Sequence, residues 1–187
     1  MLRILYLGRR RPSFFQEGDV AFYDLAKKMV ANIKPLTPLR SEDLTEKGYL
    51  NTFNHITAQA MMTSIFSEKM ADFISDIHER NRLPELITGK FTKAQLADLN
   101  DGPVDNYVDI INNEWGQELG KRLKIKYNIT KDTDWTTELL SQYLNDLQSY
   151  FSWALEIGFE PFRPEDEMIR RYTSKMKIIM KDFSKYP

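Results

Sequence analysis

The sequence predicts a mainly α-helical domain, and three observations carry that prediction. Apolar residues recur at intervals of three and four along most of the chain, which is the period of an amphipathic helix. Capping residues, prolines and glycines fall at the ends of those stretches. Strand-like patterns are confined to two short segments, "LRILYL" at 2–7 and "LKIKYNIT" at 123–130. The expected architecture is a single-domain helical bundle spanning residues 1–187, with six or seven helices and at most two short strands.

Taken in order, Gly8 closes the first strand candidate. Phe22, Leu25, Ala26, Met29, Val30 and Ile33 then keep helical spacing, with Asp19 placed as N-cap. "KPLTPLR" ends that helix, because two prolines remove backbone donors. Ser41 caps a short piece that Gly48 stops. A helix over 52–66 follows, and Ser67 caps the next, which runs to about Arg80. Its face carries Met70, Phe73, Ile74, Ile77 and His78. Pro84 and Gly89 punctuate the connection, Thr92 and Gln95 form a capping-box pattern, and "NDGP" at 100–103 marks a turn. A long helix over 104–123 has its apolar stripe on Val104, Val108, Ile111, Trp115 and Leu119. Asp134 is placed to cap a helix with Leu140, Tyr143, Leu144, Leu147, Phe151, Ala154 and Leu155 on one stripe, ended by Gly158. Pro164 at a first helical position opens the last helix, with Ile169, Tyr172, Met176, Ile179 and Phe183 facing inwards.

Composition narrows the function classes. With 42% apolar and 28% charged residues the chain is globular in type, and 187 residues can bury a full core. It has no cysteine, so disulfides, thiolate zinc sites and cysteine nucleophiles are excluded. A formal charge of −1 argues against bulk attraction to nucleic acid. The terminal helix is basic, but the segment before it, 132–160, holds six carboxylates and no Lys or Arg. "GRRRP" at 8–12 has no aromatic platform beside it. No Walker loop, Gly-x-Ser-x-Gly elbow or His-Glu-x-x-His occurs. Without a secretory-type leader or an apolar run long enough to span a membrane, a cytoplasmic location is expected.

Chemistry concentrates around the two histidines. If 52–66 and 67–80 form a hairpin turning near Phe66, His55 and His78 lie at the same level, about 11 and 12 residues from the turn. Both sit on largely apolar faces, where an imidazole needs a partner. They are either satisfied boundary histidines or members of one site. Asp76 points about 200° away from His78 and fits a solvated face with Asp72 and Arg80, whereas Glu79, about 100° away, can share a rim. In "VDIINNEWGQELG" (108–120), Asp109, Asn112, Gly116 and Gly120 follow helical spacing. Each glycine inside a helix costs about 1 kcal/mol relative to alanine. Tertiary structure must therefore compensate.

Two blocks, "FNHITAQAMMTSIFSEKMADFISDIHER" and "VDIINNEWGQELGKRL", resemble a small helical bacterial domain family of unestablished function, also met in toxin-like proteins. The matching positions are His55, Asp76, His78, Glu79, Asp109, Asn112, Asn113 and Gly116, within residues 51–123. Ile111 stands where the pattern has His. The resemblance implies a toxin-like or envelope-directed hydrolase.

The leading expectation is a hydrolase-like polar pocket. His55, His78, Glu79 and Asp109 would be its catalytic groups, while Asn112, Asn113 and Gln59 would bind substrate. Two histidines and a carboxylate could instead hold one divalent metal. The substrate would be a small molecule or a polymer. The competing expectation is a non-enzymatic interaction protein, of adaptor or immunity type, whose histidines are structural. A concave pocket at the histidines favours the enzyme, and an exposed apolar patch elsewhere favours the binder.

Overall fold

The computed structural model describes residues 20–82, 85–98 and 102–183, with the side chains of 76–82 outside that description. Eight α-helices follow one another among these residues. They are α1 (Phe22–Ala31), α2 (Tyr49–Ile65), α3 (Glu68–Arg82), α4 (Glu85–Thr88), α5 (Lys93–Ala97), α6 (Pro103–Lys126), α7 (Thr137–Leu155) and α8 (Glu167–Phe183). A 3-10 turn at Ser41–Leu44 precedes α2. The described residues form no strand, only an isolated antiparallel bridge between Ile33 and Phe159. The mainly helical bundle expected from periodicity is therefore the fold, and the strand candidate at 2–7 lies outside the described residues.

α2 is the central helix. Leu50, Phe53, Ile56, Thr57, Gln59, Ala60, Met61, Met62, Thr63, Ser64 and Ile65 are all buried. A helix buried on every side carries no single apolar stripe. Phe53 stacks on Phe151 of α7 at 4.3 Å between ring centroids, and Thr57 donates to the Met29 sulfur of α1. Phe22 of α1 packs on Tyr172 of α8, and buried Lys175 of α8 donates to the Val20 carbonyl. One apolar core thus joins α1, α2, α7 and α8.

Several helix ends differ from the sequence expectation for local reasons. The N-cap of α1 is Ala21, whose N–H donates to Asp24 at 2.7 Å, and Asp19 lies outside the described residues. Gly48 does not stop a helix but begins one, as N-cap of α2. The segment 123–130 is not a strand. α6 runs to Lys126 and ends in a Schellman turn, with Asn128 at φ +49° and the Ile129 N–H bonded to the Lys124 carbonyl. Asp134 does not cap α7: Thr136 does, accepting from the Leu139 N–H at 3.2 Å, and Asp134 pairs with Lys177. Glu156, at φ +56°, rather than Gly158, terminates α7. α8 begins at Glu167, after a turn that spends Pro164, with Asp166 accepting from the Arg163 N–H. The Ser67 cap and the Thr92–Gln95 capping box form as read from sequence.

The link between α7 and α8 is held by side-chain amides. Asn145 both donates to the Phe162 carbonyl at 3.0 Å and accepts from the Phe162 N–H at 2.6 Å. Gln148 donates to the Glu160 carbonyl and accepts from Asn32, the C-cap of α1. Asn145→Ala leaves both backbone groups of Phe162 without these partners and should cost about 2 kcal/mol. A fall in the urea midpoint checks this, and an unchanged midpoint removes the loop-tethering role.

Candidate functional site

The long helix α6 lies the opposite way round from its apolar periodicity. Val104, Tyr107, Val108, Ile111 and Trp115 face outwards, between 38 and 63% exposed, while Asn106, Asp109, Asn112, Asn113, Gly116, Gln117 and Gly120 are buried. Of the stripe expected to meet the core, Val104, Val108, Ile111 and Trp115 thus lie on the outer face, and only Leu119 packs against the core. The reason is on α2, which presents Asn51, His55 and Gln59 at four-residue intervals. Burying these polar groups is favourable only against polar partners.

The glycines decide how close the two helices come. A Cβ on Gly116 would lie 2.7 Å from the Ile56 carbonyl oxygen, and one on Gly120 would lie 2.5 Å from that of Ala60. Both contacts are with backbone, so nothing but glycine fits. At this separation short side chains pair in a fixed register, 58 residues apart. The Asn51 amide donates to Asp109 at 2.9 Å, His55 Nδ1 meets Asn113 Oδ1 at 2.9 Å, and Gln117 donates to Gln59 at 3.2 Å. Repetition of one offset every four residues means that α2 and α6 run parallel, turn matched to turn. Ser64 closes the ladder by donating to the Gly120 carbonyl at 2.8 Å, and its oxygen lies 2.7 Å from the Tyr143 hydroxyl. Since Ser64 spends its proton on Gly120, Tyr143 donates to Ser64. Burial first of all holds the Tyr143 hydroxyl well above the ordinary tyrosine range, which keeps that proton available.

His55 is the centre of this seam. Its Nε2 lies 3.2 Å from Asp109 Oδ1, and both side chains are mostly buried, at 14 and 11% exposure. Nε2–H donates to the carboxylate, and Nδ1 lies against the side-chain amide of Asn113. Asp109 Oδ1 therefore receives both Asn51 and His55. Neither ring nitrogen is left over for a water, a substrate or a metal ion. As a general base or a ligand, His55 would first have to release Asp109 or Asn113.

The structure brings His55, Asp109 and Asn113 into contact, and Gln59 lies one turn further along α2, bonded to Gln117. Asn112 is buried on the same helix, but among the described residues its Nδ2 has no hydrogen-bond partner, and neither has the hydroxyl of Thr63. Asp76, His78 and Glu79 fall on the last turns of α3, where side chains lie outside the described residues. Among the described residues no three His, Asp or Glu side chains converge on a possible metal position. His55 and Asp109 are the two donors a metal there could draw on.

Asn51, Gln117 and Ser64 escaped the sequence analysis. Their signal was available: Asn51, His55 and Gln59 form a polar i, i+4 row in an otherwise apolar helix, and Asp109, Asn113 and Gln117 repeat it. Two such rows, each beside small residues, are complementary surfaces. Comparison with known protein families, characterised proteins and solved structures finds no match. No helix among the described residues is long and apolar enough to cross a membrane.

Proposed function

We propose that this chain is a non-enzymatic helical interaction protein, in which the α2–α6 seam is structural and the outer face of α6 is the binding surface. The single observation behind this reading is the outward apolar stripe of α6. Val104, Tyr107, Val108, Ile111 and Trp115 cover about three turns, roughly 16 Å of helix, and remain exposed on a helix whose polar face is inside. Phe73 of the neighbouring α3 is also half-exposed. Apolar stripes of this length with aromatic anchors are what helix-in-groove recognition uses. The rim selects the partner: residues 103–117 contain Asp105, Asp109 and Glu114 but no Lys or Arg, and Asp109 is turned inwards. Asp105 and Glu114 then favour an apolar partner surface edged with basic side chains.

An amphipathic Leu/Lys peptide with helical spacing tests this, read by tryptophan fluorescence. Saturable binding in the micromolar range, weakened about tenfold by Ile111→Glu or Trp115→Glu and by a Leu/Glu peptide of the same apolar face, supports the proposal. Binding indifferent to these changes, or self-association of the free protein that hides the face, overturns it.

A hydrolytic reading has one observation in its favour, the buried Asn112 amide, three residues along α6 from Asp109, whose Nδ2 has no hydrogen-bond partner among the described residues. In that reading Asp109 orients His55, the amides of Asn112, Asn113 and Gln59 hold substrate, and His78 and Glu79 supply the remaining acid–base groups. It matches the resemblance of residues 51–123 to a toxin-associated family. The Asp109 substitutions discussed below separate it from the structural reading.

A further inference from the structure

The apolar face of α6 and the first residues of the chain are complementary. Leu2, Ile4, Leu5 and Leu7 make an apolar run, and Arg3, Arg9, Arg10 and Arg11 charge it positively, with no carboxylate before Glu17. These residues precede Val20, where the described chain begins. The face they would meet carries Val104, Val108, Ile111 and Trp115, with exposed Glu114 and Asp105 at its rim. The acidic edge continues on α3, which packs on α6 and exposes Asp72 beside Phe73. Opposite charge around an apolar contact selects one occupant over others.

Two other occupants fit less well. A second copy of α6 brings the same carboxylates and no Lys or Arg within 103–117. The other basic stretch, α8, has its apolar stripe in the core, and Ile178 is its one large apolar side chain that is exposed. Reach is not limiting. The fifteen residues from Leu5 to Val20 extend up to about 50 Å, against a radius of gyration of about 16 Å for a domain of this size. Val20 stands at the start of α1, and α1 and α6 both flank α2.

We infer that residues 2–11 occupy the outer face of α6 in the same molecule, the apolar run on the stripe and the arginines against the acidic rim. This rests on the reading of that face as a binding surface and adds its regulation, because a partner has to displace the chain's own segment. A tethered segment competes at an effective concentration of about 1 mM. A contact with a dissociation constant of about 0.1 mM then fills the face about nine-tenths of the time and weakens an outside ligand about tenfold.

The chain has no cysteine, so Gly8→Cys places a single nitroxide between the apolar run and the three consecutive arginines and keeps all of those side chains. Paramagnetic broadening is read on the amides of the intact ¹⁵N-labelled protein at low ionic strength. Broadening centred on Val104 to Trp115 is expected. It should vanish when the nitroxide is on unenriched protein mixed with ¹⁵N protein that carries none. Arg9→Glu, Arg10→Glu and Arg11→Glu together should remove the broadening and strengthen binding of the Leu/Lys peptide about tenfold. No broadening on α6, or broadening that persists in the mixed sample, overturns the inference. Peptide affinity unchanged by the triple substitution also overturns it, while leaving α6 as a binding surface. A peptide that binds neither protein, with the broadening present, keeps the segment on α6 and overturns the partner-surface reading instead.

Discussion

Gly120→Ala destabilises this protein, although alanine is the better helix former by about 1 kcal/mol. The added methyl would lie 2.5 Å from the Ala60 carbonyl oxygen and 2.9 Å from the Ala60 Cα. Both are backbone atoms of the central helix and cannot rotate away. The helices must separate, and separation lengthens every rung of the ladder from Asn51–Asp109 to Ser64–Gly120. Overpacking costs typically about 1–3 kcal/mol, more when backbone has to move. A net loss of about 3 kcal/mol is therefore expected after the propensity gain is set against it. Gly116→Ala, with contacts at 2.6 Å to Gln59 Cβ and 2.7 Å to the Ile56 oxygen, should cost a similar amount. The double variant should lose less than the sum, because the first methyl already parts the helices. Urea denaturation of the three variants checks this. A midpoint that rises would mean that local propensity wins and that close approach of α2 and α6 is not required.

Asp109→Ala has the second large effect, and it separates the two functional readings. Asp109 accepts from Asn51 at 2.9 Å and from His55 at 3.2 Å, in a place where water reaches little. Removing it strands two donors, each worth about 1–3 kcal/mol when left unsatisfied in the interior. The structural reading expects a loss of about 3 kcal/mol for Asp109→Ala. It expects a smaller loss for Asp109→Asn, which keeps one acceptor oxygen of the same shape. His55→Ala in the Asp109→Ala background should cost much less than His55→Ala alone, since their contact is already gone. A catalytic carboxylate held in strain behaves otherwise, and its replacement leaves stability unchanged or raises it. Stability unaffected by Asp109→Ala would return the seam to the hydrolytic reading.

Much of the fold was legible because helical period and capping are local properties. Stretches such as Leu140 to Phe151 or Ile169 to Ile179 place their apolar residues on one stripe, and a stripe of that width has to be buried. The Thr92–Gln95 box and the Ser67 cap depend on residues three positions apart, so sequence suffices to find them. The strand expected at 123–130 shows where this stops. Alternation in "LKIKYNIT" imitates a strand, while Asn128 supplies the left-handed residue with which a helix can equally well end.

Part of the candidate site was legible for the same reason. Asp109 and Asn113 were visible as polar residues misplaced by helix propensity, and His55 as a rare residue on an apolar face. What they do with one another was not, because the contact is between helices 58 residues apart. Which face of α6 turns inwards was also beyond local reading. Its apolar stripe is the stronger hydrophobic signal, yet it lost to two glycines that admit the α2 backbone and to amides that complete each other's hydrogen bonds. By itself the sequence determined the helices, the Ser67 and Thr92–Gln95 caps and the residue types that had to be accounted for. Only the tertiary structure decided that the polar row is core and the apolar row is surface, because burial depends on the partner across the interface and not on hydrophobicity alone.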